Sequence, residues 1–530
     1  MFNVLLVIPP KIVEEREKSN LEFLGVGYLA SVLDKECIRN DILDAYNYNL
    51  NVKDTVNKIL EIKPDIVAIS APFAYELIQC VKIVCLLRKK GYTGHITIGG
   101  HAAVSCKEKL IEYVNINSLA LGEGEETFGL LVNSIKNNDI DYNLSGYWFK
   151  KDKKIIKNSP SKLIENLDSL PFPKRNNIFT SESNIMVKHN GGNFAGIVTS
   201  RGCPYNCKFC DVKAFSNQSY GPPWRSRSSK NVVDEIEMMY KTYGITNFLF
   251  MDDNFIGSSK KGRQRVFEIC DEIISRNLNI SFSFESRVTD VEFILFSKLK
   301  QAGLDSVMLG IESGCQRMLD TWNKNITLKD SKKALNILLD LGINCHANFI
   351  LYDMYSTLDE MEEVYNFMKE TNIYKALKNP IYLFDNKLCV FPNTPLEDEL
   401  SQKGILSDWL DVTLDKEGWK IFKFLQPIKF YEIKDEKMKS FIYFNDYWVD
   451  IMKNKIQYIS SNKYYEKYSN WLKKLGYCYI KLFKQVIDGV RGSNKNLICD
   501  IDNTMKEYDR KILGDKFYNI NNTPHKLKSI

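Results

Sequence analysis

Six short β-branched runs, each followed by a helical pattern, fill the stretch from Ala195 to Lys403, and this alternation constrains the fold more than any other feature of the chain. Strand patterns fall at Ala195 to Ser200, Asn247 to Met251, Ser281 to Glu285, Ser306 to Gly310, Ile343 to Leu351 and Tyr382 to Phe391. Helical patterns fall near Val232 to Tyr243, Lys260 to Arg276, Val291 to Ala302, Lys329 to Leu341, Thr357 to Glu370 and Leu396 to Lys403. A strand that returns parallel to its predecessor needs a crossover, so repetition of the unit predicts a parallel sheet. Six units predict a partial (β/α)6 barrel of TIM type, whose chemistry sits on loops at the carboxyl ends of the strands.

The first of those loops carries Ser200-Arg-Gly-Cys-Pro-Tyr-Asn-Cys-Lys-Phe-Cys210, three thiols in a CxxxCxxC spacing. Thiolates are soft ligands for iron–sulfur clusters, and three of them on a four-iron cubane leave one iron open to another ligand. Structural zinc takes four ligands, commonly as paired elements, and no partner pair follows at the expected distance. The spacing resembles the signature of the radical S-adenosylmethionine (SAM) enzymes, in which the open iron chelates the amino and carboxylate groups of SAM. The resemblance implies a 4Fe-4S cluster on Cys203, Cys207 and Cys210, with Phe209 packing against the adenine side of SAM.

Residues 1 to about 140 also alternate strand and helix patterns. Strands are expected at Asn3 to Pro10, Asp41 to Tyr46, Asp65 to Pro72, His95 to Gly100 and Ser118 to Gly122. This predicts an α/β, Rossmann-like (flavodoxin-like) domain that binds its ligand beyond the carboxyl ends of its strands. Glycines there permit tight turns and close approach to a large ligand. Leu24-Gly-Val-Gly-Tyr-Leu-Ala30, the turn at Gly99 and Gly100, and Leu121-Gly-Glu-Gly-Glu-Glu-Thr-Phe128 together resemble the cobalamin-binding domain that precedes many radical SAM domains. Gly99, Gly100, Gly122, Glu123 and Gly124 are the implied cofactor contacts. Two departures matter. Pro9 to Ser19 contains no His, which implies a His-off cofactor, and Ala102 stands where the family often has His. His101 therefore has two readings, a corrin contact or, preferred, a locally hydrogen-bonded turn residue.

Residues 141–193 are expected as a linker around Asn166-Leu-Asp-Ser-Leu-Pro-Phe-Pro173, the barrel as 194–403, and 404–530 as a mainly helical carboxyl-terminal domain capping the barrel. A chain of 530 residues has room for these domains. A net charge of +6 without a concentrated basic stretch argues against nucleic acid as a partner. The apolar start ends at Pro9-Pro10, too short for a transmembrane segment. Thirteen cysteines without a secretory segment point to a reducing, cytoplasmic setting.

The remaining site residues follow the barrel strands. Met251-Asp-Asp-Asn-Phe255 resembles the family's segment at the SAM amino group, with Asp252 and Asp253 both candidates because successive side chains point opposite ways. Arg287 is implied as a contact to the SAM carboxylate or substrate, and Glu312, in Gly310-Ile-Glu-Ser-Gly314, to its ribose or ammonium. Arg225 and Arg227 read as loop anchors. Asn344, His346 and Asn348 share one face of the fifth strand and are expected as a polar substrate wall.

The resemblance implies a cobalamin-dependent radical SAM enzyme, most commonly a C-methyltransferase: a 5′-deoxyadenosyl radical removes hydrogen from an unactivated carbon, and methylcobalamin delivers a methyl group. Its substrate would be a small molecule or peptide, and an external flavodoxin or ferredoxin its electron donor. The alternatives are a cobalamin-binding relative that catalyses cyclisation, ring contraction or rearrangement, and a cobalamin sensor or electron-transfer protein.

Overall fold

The computed structural model describes residues 2–12, 22–175, 188–189, 192–377, 379–407, 414–460 and 465–513. It divides into two compact units. The first comprises Met1–Glu285, Gln301–Leu304 and Cys389–Tyr431; the second comprises Ser286–Lys300, Asp305–Leu388 and Glu432–Ile530.

The first unit opens with a seven-stranded sheet: β1 (Val4–Ile8), β2 (Asn40–Asp44), β3 (Ile66–Ser70), β4 (His95–Gly99), β5 (Ser118–Ala120), β6 (Tyr147–Lys151) and β7 (Lys154–Lys157). The spatial order is β2-β1-β3-β4-β5-β6-β7, with β1 to β5 parallel and β6 and β7 antiparallel. Every residue of β1 is buried, as expected of a strand covered on both faces by helices. The 2-1-3-4-5 order is that of the flavodoxin-like fold, and it reverses between β1 and β3.

The expected linker begins later than residue 141. Tyr147, Trp148 and Phe149 are buried and extend the cores on both sides of the sheet. Asp152 and Lys153, both at positive φ, close the β6–β7 hairpin in the manner of a two-residue turn. The Lys- and Asn-rich flanks conceal this hairpin in the sequence. The Pro171–Pro173 segment does run as extended chain across the first helix, Leu24–Lys35: Ser31 donates to the carbonyl of Phe172 (2.8 Å), and Lys174 N–H to that of Gly27 (3.0 Å). A Cβ on Gly27 would lie 2.8 Å from the Lys174 carbonyl, so the crossing requires glycine.

The same unit holds three parallel barrel strands, Gly192–Ile197, Asn247–Phe250 and Ser281–Arg287, the last ending across the boundary between the two units. Phe250 stacks on Phe282 at 4.9 Å within their core. A buried ion network runs beneath the first strand. Glu235 receives Arg175 (2.6 Å) and Arg227, and Arg175 also pairs with Glu22 and donates to the Gly196 carbonyl. Arg227 is thus an anchor. Residues 404–407 and 414–431, expected within the barrel cap, instead belong to this unit. Phe422, Ile428 and Phe430 pack on Ile78 of the helix Ala74–Lys89, and Lys82 meets Asp415 at 2.7 Å.

In the second unit Ser306 to Glu312, of the strand Leu304–Glu312, pairs in parallel with Asn344–Phe349, with a register shift between Gly310 and Glu312. Thr327 and Thr357 open the helices Leu328–Asp340 and Leu358–Thr371 with capping boxes. The sixth strand expected at 382–391 does not form among the described residues. Pro380–Leu383 is a 3₁₀ turn capped by Asn379, and the span's only ladder contact is an isolated bridge at Val390. Pro380 lacks the N–H a ladder needs, and Asp385-Asn386 favours a turn. Three long helices, Glu436–Ser460, Tyr465–Arg491 and Leu497–Leu513, complete the unit, with Phe384, Trp448 and Tyr479 packed at their centre. No described helix is long and apolar enough to cross a membrane.

Candidate functional site

The first unit contains a cavity of about 360 Å³ at the point where its sheet order reverses. Ser70, Thr97, Gly99 and Gly100 line it from the ends of β3 and β4, and Gly122 and Gly124 from the turn after β5. Two of these glycines are obligatory. Gly100 has φ +101°, and a Cβ there would lie 2.7 Å from the Ala71 carbonyl; Gly122 has φ +83°, with a Cβ 2.5 Å from Ser219 Oγ. Gly25 also lines the cavity, but a Cβ on it meets nothing within 4 Å. These turns leave a cradle bounded by backbone, into which a large ligand can approach closely.

The opposite wall comes from the cysteine loop. Ser200, Arg201 and Gly202, directly before Cys203, face the cavity, as do Val212, Phe215 and Ser216 of the short helix Asp211–Ser216 after Cys210. Cys203, Cys207 and Cys210 are half-buried, and none of the cysteines among the described residues is joined in a disulfide. Burial pushes the Cys210 thiol up to about 12, and Asp211, Cys207 and Cys203 add to the shift, so the three thiols lie within electrostatic reach of one another. Among the described residues no three His, Cys, Asp or Glu side chains are already drawn together as metal ligands. The donor set nevertheless suits an iron–sulfur cluster: three thiols, one loop, one side partly open. Iron would hold them deprotonated, because a coordinated thiol gives up its proton. Phe209 is half-buried in this loop and does not line the cavity.

The adjacent aspartates separate cleanly. Asp252 is buried and accepts from the N–H groups of Thr199 and Ser200 (2.7 Å each) and the Thr199 hydroxyl (2.6 Å), which commits it to holding the loop. Asp253 accepts from Gly202 N–H (3.1 Å) and lines the cavity, where burial pushes its carboxyl up against the pull of His101. In the second unit Glu312, at φ +63° on the bulge, pairs with Lys324, whose carbonyl accepts from Arg287. Lys324 thus supplies the counter-charge for Glu312, and nothing in its sequence context marked it. On the fifth barrel strand Cys345 and Phe349 are buried, whereas Asn344, His346 and Asn348 lie on the more accessible face.

Glu123 lines the cavity and has a second role. Its carboxylate accepts two bonds from Arg225 (2.9 and 2.8 Å) and one from Ile164 N–H (2.8 Å), and it lies 3.5 Å from Arg201. Neighbouring Glu125 pairs with Arg201 at 2.5 Å. Glu123 therefore anchors the loop through its side chain, and Arg225 is its partner. His101 begins a short helix and stacks on Phe215, ring centroids 3.8 Å apart and planes 10° from parallel. It lines the cavity. The partners Glu125 and Phe215 were not legible as site residues, since their pairing depends on segments more than 75 residues apart.

Burial opposes charge on Glu123, but Arg225 and Arg201 outweigh it and hold the carboxyl below its ordinary value. A depressed folded value contributes stability that is complete above the unfolded value, about 4.5, and lost as pH falls through the folded one. Glu123→Gln is expected to remove this part of the acid limb in a plot of melting temperature against pH; an unchanged acid limb refutes the assignment.

Comparison with known proteins bears on both walls. Residues 12–132 match the family model of the B12 binding domain, and residues 197–368 that of the radical SAM superfamily. Over 413 residues the chain is 30% identical to an anaerobic magnesium-protoporphyrin IX monomethyl ester cyclase of Rubrivivax gelatinosus, covering 72% of this chain and 71% of the relative. Over 380 residues it is 29% identical to an uncharacterized methyltransferase of Pyrococcus horikoshii, covering 70% and 79%. Among solved structures it is similar to the cobalamin-dependent S-adenosylmethionine radical enzyme OxsB with aqua-cobalamin bound, with a TM-score of 0.77 and 19% identity over 98% of this chain and 81% of that one. At that identity the likeness is one of fold.

Proposed function

The chain belongs to the radical SAM enzymes that carry a B12-binding domain, and on that premise we propose that it is a C-methyltransferase acting on an unactivated carbon of a small-molecule or peptide substrate. One observation carries the reading: Ser200, Arg201 and Gly202, which lead into Cys203, line the same cavity as the glycine turns of the B12-binding domain. When bound, the cluster supplies the electron that cleaves SAM to methionine and a 5′-deoxyadenosyl radical, and the corrin supplies the methyl group. The chain does the rest. Cys203, Cys207 and Cys210 hold the cluster, and Gly99, Gly100, Gly122 and Gly124 admit the corrin. Asp253, Arg287 and Glu312 orient SAM, with Phe209 against its adenine. Asn344, His346 and Asn348 offer amide and imidazole groups to the substrate. An external flavodoxin or ferredoxin in the cytoplasm supplies electrons.

The 30% identity to a cyclase supports a second reading, in which the same cofactors serve ring formation without methyl transfer. Methyl-labelled SAM separates the two without knowledge of the substrate. Reduced enzyme loaded with cobalamin is expected to carry the label onto the corrin; cleavage of SAM with no label on the corrin favours the cyclase reading.

The cavity glycines give a paired test. Gly100→Ala forces a side chain into a conformation that only glycine adopts readily, at a cost of about 1–3 kcal/mol, and is expected to lower both the melting temperature and cobalamin retention. Gly25→Ala meets no protein atom and sits in a helix, so it is expected to leave the melting temperature unchanged or raised while weakening cobalamin binding. Equal cobalamin titrations for Gly25→Ala and wild type would show that the ligand does not approach this wall.

A further inference from the structure

We propose that Glu123, Glu125, Arg201 and Arg225 form a four-charge clamp that sets the distance between the corrin and the cluster. The inference rests on the function proposed above and adds positioning residues to it.

Arg201 and Arg225 stand directly opposite each other in the antiparallel ribbon of Ser200–Gly202 and Trp224–Ser226. Like charges so opposed repel, and these two side chains have little access to water. Both neutralising carboxylates come from one place, the Gly122-Glu123-Gly124-Glu125 turn on the corrin side of the cavity. Arg225 takes Glu123, and Arg201 takes Glu125 while its guanidinium lies 5.3 Å above the Tyr28 ring. Two positive and two negative charges cancel, so the cluster of side chains has no net charge with which to hold an anion. Its remaining consequence is mechanical. If the turn withdrew from the ribbon, four buried charges would lose their partners together.

The cysteine loop is tied at its other end as well. Phe215, five residues after Cys210, stacks on His101 beside the Gly99-Gly100 turn. Gln218 accepts from Lys107, and Ser219 closes on Gly122. Segments before Cys203 and after Cys210 are therefore fastened to the two glycine turns that form the cradle. Transfer between bound groups falls steeply when reacting atoms move by about 1 Å from alignment. A loop carrying three thiols and no regular structure of its own gains from such fixing at both ends.

The test reads distance and not turnover. Wild type, Glu125→Gln and Arg201→Lys are each loaded anaerobically with cluster and cob(II)alamin and poised at a potential that reduces the cluster by one electron while cobalt remains Co(II), and electron paramagnetic resonance measures the magnetic interaction between the cobalt and the cluster spins. Iron and corrin are counted in the same samples. Wild type is expected to show one defined interaction; Glu125→Gln is expected to show a weakened or spread one. Arg201→Lys keeps the charge but loses the fork, and is expected to fall between them while melting like wild type. Spectra of both variants that superimpose on wild type overturn the clamp while leaving the proposed function intact. A wild-type protein that takes up iron but no corrin overturns the function together with the clamp.

Discussion

Reconstituted with iron and sulfide, the Cys207→Ala protein is expected to form no 5′-deoxyadenosine from SAM under reducing conditions, while wild type does. A cubane held by three thiolates presents one open iron; with two thiolates left, two irons lack protein ligands and the cluster has no stable seat. Wild type is expected to bind roughly four irons per chain, and the variant to lose most of them. Cys106→Ala is the control. Cys106 is buried on the sheet side of the first unit, where its thiol meets the Leu425 carbonyl, and its loss is expected to affect stability without affecting iron content. Retained SAM cleavage by Cys207→Ala would refute the assignment of the CxxxCxxC loop, whatever the fate of the corrin cavity.

The largest effect on stability is expected from Glu235→Ala. Glu235 is 0% exposed and receives both Arg175 and Arg227, so its removal leaves the buried Arg227 guanidinium with neutral acceptors alone and Arg175 with Glu22 as its one remaining carboxylate. Breaking a buried pair by deleting one partner costs about 3–5 kcal/mol. The neighbouring pair Lys230–Asp234 lies on the same helix, Ser229–Tyr243, but Lys230 is 73% exposed. Exposed pairs at this spacing contribute only about 0.3–0.5 kcal/mol. Thermal melts of Glu235→Ala and Lys230→Ala should therefore differ widely, and similar melting temperatures would show that the buried network does not hold the first barrel strand. Glu235→Gln, which keeps one acceptor oxygen, is expected to fall between wild type and alanine.

How much of this was legible beforehand depended on the range of the interaction involved. The strands of the amino-terminal sheet were readable because β1 and β3 are continuous apolar runs, a pattern set by burial on both faces. The β6–β7 hairpin was not, because only three aromatic residues in a charged stretch carry its burial. The sixth barrel strand expected from the sequence does not form among the described residues. Tyr382 to Phe391 is apolar at its ends, but Pro380 and the polar residues at its centre favour a turn. In the site, the choice between Asp252 and Asp253 needs the positions of Thr199 and Ser200, and the anchoring role that Glu123 adds to its place in the cavity wall needs the position of Arg225.

Taken alone, the sequence determined the chemistry available to this protein. Thiol spacing, glycine turns and strand periodicity act over fewer than about ten residues, so they can be read along the chain. The tertiary structure decided which polar groups are free to meet a cofactor and which are spent on one another. Arg201 and Glu125 are 76 positions apart and carry no local sign of their pairing. Only the fold brings them together, because a buried charge must find its counter-charge wherever the chain happens to supply it.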